Sequence, residues 1–243
     1  MTEPLLLALL TLFAAGIGTA TGFGTSTIMM PIMVMFVPVP IALLFVGIIH
    51  LCGDLWKILL FRSGLDWKLF LAFGLPGIAA SYLGASLAME AQALPLERMV
   101  GGFLVLYVLF IWFRQEWALP KNSRTAITGG VLSGLCAGFF GVGGAVRSAF
   151  LLAFDLPKAV YICTSGLIAL VIDITRVSRY LWGGTALHGN LLAALLICIP
   201  VSLLGAYLAK RFLDRLPQAG FRLFIALFLA LAGLKLMVWP GVQ

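Results

Sequence analysis

The sequence predicts an all-α polytopic membrane protein: two inverted-topology repeats of about five apolar helical segments each, with short broken helices near the midplane. Composition is the first reason. Of 243 residues 62% are hydrophobic and only 10% charged, whereas a soluble domain carries roughly 25% charged residues. The second is length: apolar runs of about 20 residues, enough to cross a hydrocarbon core of about 30 Å, recur from end to end. The third is that the chain repeats itself. "GFGTSTIMMP" (22–31) is answered by "GVGGAVRSAF" (141–150), "DLWK" (54–57) by "DITR" (173–176), and "SYLGASLA" (81–88) by "SLLGAYLA" (202–209). A single transmembrane domain over 1–243 follows, with repeat one at 1–119 and repeat two at 120–243, meeting near "PKNSR" (120–124).

In the first repeat the apolar segments fall near 5–21, 24–37, 40–61, 67–89 and 97–113. In the second they fall near 125–140, 143–155, 158–181, 190–210 and 219–239. The opening run resembles a signal peptide, but Glu3 stands where such peptides carry Lys or Arg, so it reads as an uncleaved first helix. Segments 24–37 and 143–155 are too short to cross comfortably at about 1.5 Å per residue. They read as half-helices that form hairpins with the segments before them. Each repeat then makes an odd number of net crossings, which inverts the second relative to the first. Lys and Arg gather in the loops at 57–68, 114–124 and 210–222. The positive-inside rule makes those loops cytoplasmic and both termini external, in a multi-pass protein of the cell (inner) membrane. The net charge of +7 is therefore an orientation signal, and no nucleic-acid partner is expected.

The glycines ahead of the two short segments are the chemical puzzle. A half-helix that starts inside the membrane leaves its first N–H groups without water to bond. An anion can supply the acceptor, because a helix N-terminus carries about half a positive charge and glycine lets backbone approach closely. Gly22, Gly24, Thr25 and Ser26 in one repeat, and Gly141, Gly143, Gly144 and Ser148 in the other, are thus candidate substrate contacts. Arg147, in the first turn of segment 143–155, adds a fixed charge and a planar donor fork suited to an oxyanion. The competing reading is that the glycines only let helices pack closely while Arg147 snorkels to an interface.

These stretches, with their G-[IV]-G-G pattern and a proline nine residues after the first glycine, resemble the TauE/SafE sulfite exporter family of permeases. The resemblance extends through "LPKAVYICTSG" (156–166) and "SLLGA" (202–206). It implies transport of sulfite or small organosulfonates such as sulfoacetate, linked to the proton gradient. Thr25 and Ser26 stand where the family tends to have glycines, and Phe150 replaces the proline of the second signature.

Other polar residues lie at membrane depth. His50 is about 15 Å into its segment, where a ring titrating near neutrality can bind substrate or carry a proton. Asp54 with Lys57, and Asp173 with Arg176, have the i,i+3 spacing of a helical ion pair. Asp54 and Asp173 join His50 as proton-coupling candidates, and Asp173 could also neutralise Arg147. Thr164 and Ser165 are further substrate-binding candidates, set against the habit of membrane Ser and Thr of bonding their own backbone. The six tryptophans sit near segment ends and read as interfacial belts. Cys52, Cys136, Cys163 and Cys198 have no metal or disulfide spacing.

No enzyme is expected. "GVGGAV" lacks the third glycine of a dinucleotide fingerprint, no P-loop lysine follows either cluster, and no nucleophile motif is present. Neither cofactor nor metal is expected. The partners expected are a small anion and the lipid bilayer. An anion channel using the same glycine site, and a structural membrane protein without transport, are the alternatives to a carrier.

Overall fold

The computed structural model describes residues 2–21, 24–61, 64–91, 93–113, 119–212 and 218–239. These form α1 (Thr2–Thr21), α2 (Ser26–Met33), α3 (Val39–Phe61), α4 (Trp67–Glu90), α5 (Ala93–Phe113), α6 (Ser123–Phe140), α7 (Gly144–Leu151), α8 (Lys158–Trp182), α9 (Gly189–Phe212) and α10 (Gln218–Val238). A 3₁₀ turn, Leu152–Phe154, extends α7, and no strand occurs among the described residues. Spans within α3, α4, α8 and α9 are long and apolar enough to cross a membrane. The two short helices, of 8 residues each, reach only about 12 Å. This is an all-α polytopic membrane protein.

Local chemistry sets the boundaries. Asp66 caps α4 by accepting the Leu69 N–H at 2.9 Å, and Asn122 caps α6 by accepting that of Thr125 at 2.9 Å. No such side-chain cap holds α2 or α7 among the described residues. α6 ends at Gly141, whose φ of 73° is the left-handed conformation that glycine tolerates best. Its N–H returns to the Ala137 carbonyl at 3.1 Å, and that of Val142 to Cys136 at 3.3 Å.

Lipid is as apolar as leucine, so helices here associate through close packing of small residues more than through burial of oil. α6 shows this against α4. Gly130, Gly134 and Gly138 recur every fourth residue, and a Cβ on each would overlap the carbonyl oxygen of Phe73, Gly77 or Ser81 respectively. Ascending positions on α6 meet ascending positions on α4, so the two run parallel. α1 packs on α9 in the same relation between the halves. That contact is looser at Gly16, where a Cβ would sit 3.6 Å from the Gly205 carbonyl oxygen.

α3 and α8 meet at the centre, and each also packs on a helix of the other half, α9 and α4 respectively. A Cβ on Gly47 would touch Val177 at 3.0 Å, whereas one on Gly166 would meet Ile58 at 3.4 Å and the Lys57 Cβ at 3.7 Å. Rising numbers on one helix meet falling numbers on the other. α3 and α8 are therefore antiparallel.

Trp67, Trp182 and Trp239 are exposed at helix ends, as an interfacial belt requires. Trp56 departs from that expectation: it is half-buried and donates its indole N–H to the Ser202 hydroxyl of α9 at 3.1 Å. Trp117 lies outside the described residues.

Candidate functional site

The site grows out of the α3–α8 contact. On α3, Asp54 Oδ1 accepts from Lys57 Nζ at 2.8 Å, and on α8, Asp173 Oδ1 accepts from Arg176 Nε at 2.7 Å. The i,i+3 pairs expected from the sequence are both made, and all four residues are buried. Each pair places a carboxylate one turn from its own cation, which makes either charge tolerable at that depth.

His50 joins the two helices. Its Nδ1 is 2.5 Å from Asp173 Oδ2 and 3.0 Å from Asp54 Oδ2. Only the contact with Asp173 has hydrogen-bond geometry, so the ring bonds a carboxylate of the other half and not a helix carbonyl. Its Nε2 has no hydrogen-bond partner. That nitrogen faces Gly24, where a Cβ would overlap it, and Gly24 itself has a φ of 85°. Close approach and a left-handed backbone both demand glycine there.

The start of α2 is thus pinned against α3. Ser26, its first residue, is buried with a hydroxyl oxygen that lacks a partner, and Thr25 Oγ1 lies where a Cβ on Gly53 would touch it at 3.4 Å. Gly22 lies outside the described residues.

Arg147 belongs to the other short helix. It is 2% exposed, which removes the snorkelling reading. Its Nε donates to Ser165 Oγ of α8 at 3.0 Å. Among the described residues no carboxylate forms an ion pair with it: Asp173, expected as a possible neutraliser, is engaged by Arg176 and His50. The guanidinium charge is still near enough to act on Asp54. The cluster holds two carboxylates against Lys57, Arg176 and Arg147, and is therefore net positive whether or not His50 is protonated.

The remaining candidates divide. Ser148 is buried beside Arg147 in sequence, and Gly144 is the first residue of α7. Gly143 has a packing duty, since a Cβ there would lie 2.5 Å from the Ala137 Cβ and 2.6 Å from the Ser133 carbonyl oxygen. Gly141 serves as the C-cap of α6. Thr164 is occupied elsewhere, accepting the backbone N–H of Asp66 at 3.1 Å. Two contacts escaped the sequence reading, one by Arg176 and one by Tyr180. Arg176 Nη1 donates to the Ala137 carbonyl at 3.3 Å, and Tyr180 Oη donates to that of Gly138 at 2.5 Å. Arg176 is a second donor to the Ala137 carbonyl, which already accepts the Gly141 N–H, and Tyr180 satisfies the Gly138 carbonyl in the last turn of α6.

His50, Asp54 and Asp173 also have the composition of a small metal site, with ligand atoms within 4.8 Å of one another. The donor set does not fit a cation, because each carboxylate already holds Lys57 or Arg176 and a further ion would enter a positive field. An anion suits this charge balance.

The sequence profile of the Sulfite exporter TauE/SafE family matches residues 7–236, nearly the whole chain. The chain belongs to that family. It is accordingly a multi-pass membrane transporter. No curated protein and no solved structure matches it significantly.

Proposed function

We propose that this family member is a secondary carrier of small sulfur oxyanions, sulfite or organosulfonates such as sulfoacetate, that alternates access between two inverted halves and is linked to protons. The observation that carries the reading is Arg147: buried, held by one hydroxyl, and without a carboxylate partner among the described residues. An arginine at membrane depth costs about 2.5–3.5 kcal/mol on insertion scales, and an anionic cargo offsets that cost.

In this reading Arg147 and Ser165 hold the oxyanion together with Gly141, Gly143, Gly144 and Ser148 around the start of α7. Gly22, Gly24, Thr25 and Ser26 close the site from the other half, and His50, Asp54 and Asp173 carry the coupled proton. The antiparallel α3 and α8, equivalent helices of the two repeats, support a two-fold axis in the membrane plane, and so do the matching α4–α6 and α9–α1 contacts. The protein sits in the inner membrane with both termini outside.

Purified protein reconstituted in liposomes tests this. Saturable exchange of labelled sulfite, stimulated by a pH gradient, is the expected result. Large single-channel currents would make it a channel instead. Failure of sulfite, thiosulfate, sulfate and sulfonates alike to bind or raise thermal stability would leave a structural protein.

A further inference from the structure

We propose that Nε2 of His50 is the proton-bearing contact of the transported anion, so that the niche at the start of α2 takes up an oxyanion and one proton together. The inference deepens the carrier reading and rests on it.

Nδ1 of His50 faces only acceptors, Asp173 Oδ2 and Asp54 Oδ2, so it carries a hydrogen in either charge state. The ring's state is then decided at Nε2, which is a lone pair when the ring is neutral and an N–H donor when it is imidazolium. That atom is buried, unpartnered and aimed at Gly24. The unpartnered Ser26 hydroxyl opens the helix that begins just beyond it. An oxyanion presents only acceptors. Against neutral His50 it would set lone pair to lone pair, while against imidazolium it gains a charge-assisted hydrogen bond. Binding therefore selects the protonated ring.

The surroundings leave that proton free to answer to the ligand. On α3 the charged neighbours are Asp54 and Lys57, and on α8 Asp173 and Arg176, each carboxylate already matched by its own cation. α7 carries the Arg147 charge, bonded to Ser165 of α8, and α2 contributes hydroxyls and no charge. The two halves thus offer different cations: Arg147 is permanently charged, and His50 is charged only when protonated. At the offset relating Asp54 to Asp173, His50 corresponds to Ala169 and Arg147 to Ile28. Neither cation is duplicated.

Linkage fixes the sign. If the protonated ring binds the anion, anion and proton each raise the other's affinity by the same factor. Anion affinity is then highest below the ring's pKa and is lost as pH rises through it, by about tenfold per pH unit where one proton accompanies each anion.

Calorimetric titration of the full chain in detergent tests this with methanesulfonate and thiosulfate, which do not titrate between about pH 5 and 8. Paired buffers of different ionisation enthalpy report proton uptake. The expected result is uptake approaching one proton per anion and an affinity that falls with pH. H50Q should bind at the weak, high-pH level of the parent throughout, with no proton uptake. R147A should weaken binding at every pH while keeping the slope. Binding without proton uptake in the parent overturns the proposal and leaves the carrier reading standing, and so does an unchanged slope in H50Q. The parent's own proton uptake decides the matter if H50Q fails to fold. If neither these anions nor sulfite binds the parent, the carrier reading and the proposal fall together.

Discussion

The two halves of the chain put the same charge pair at the same point of equivalent helices: Asp54–Lys57 in α3 and Asp173–Arg176 in α8. Around that shared pair they differ. The first half adds His50 and the hydroxyls of Thr25 and Ser26; the second adds Arg147 and Ser165. What both halves keep is a carboxylate facing its own cation; Asp173 uses both oxygens, on Arg176 and His50, while Asp54 Oδ2 has only its 3.0 Å approach to His50 Nδ1 and no hydrogen-bond partner. What only one half has includes Ser26 Oγ and His50 Nε2, without hydrogen-bond partners, and the Arg147 guanidinium without a counter-ion among the described residues. In the proposed carrier, duplicated charge is scaffold and unduplicated charge is where the anion fits.

The largest effect that would break this comparison comes from removing one scaffold carboxylate. Asp173 holds Arg176 and His50 at once, whereas Asp54 has hydrogen-bond geometry only with Lys57. Asp173→Ala should cost about 3–5 kcal/mol of stability, the range for a buried pair that loses one partner, and Asp54→Ala less. Denaturant unfolding in detergent measures both. Equal losses would show that the two pairs are not used differently.

A smaller effect sharpens the contrast in packing. Gly134→Ala pushes a methyl into the Gly77 carbonyl of α4 and should cost about 1–3 kcal/mol, as overpacking does. Gly16→Ala meets the α9 backbone at ordinary contact distance and should be nearly neutral or slightly stabilising. Melting temperatures of the two variants check this, and equal shifts would contradict it.

The helices were largely legible because membrane length, hydropathy and glycine punctuation are local signals. The segment expected at 143–155 became α7 with its 3₁₀ turn, ending at Phe154, and the run at 158–181 became α8. The ion pairs were legible for the same reason, since i,i+3 spacing needs no tertiary knowledge. Contacts between helices were not. Nothing local says that His50 reaches Asp173, that Thr164 is taken by Asp66, or that Arg176 and Tyr180 bond the end of α6. The four-residue spacing of Gly130, Gly134 and Gly138 was present in the sequence as a packing signal. The glycines of 141–144 have a packing side as well: Gly143 fits against α6 because nothing larger does.

The central claim is that the unmatched charge of Arg147 is there for an anion. Its most direct test is the affinity of Arg147→Ala for sulfite and sulfonates, measured by titration on protein shown to melt like the parent. Loss of a hydrogen bond to a charged group predicts weakening by about 1.5–3 kcal/mol, and Arg147→Lys should recover only part of it because an ammonium keeps the charge and loses the fork. If Arg147→Ala binds these anions as tightly as the parent while remaining folded, the anion site is not at α7 and the account fails.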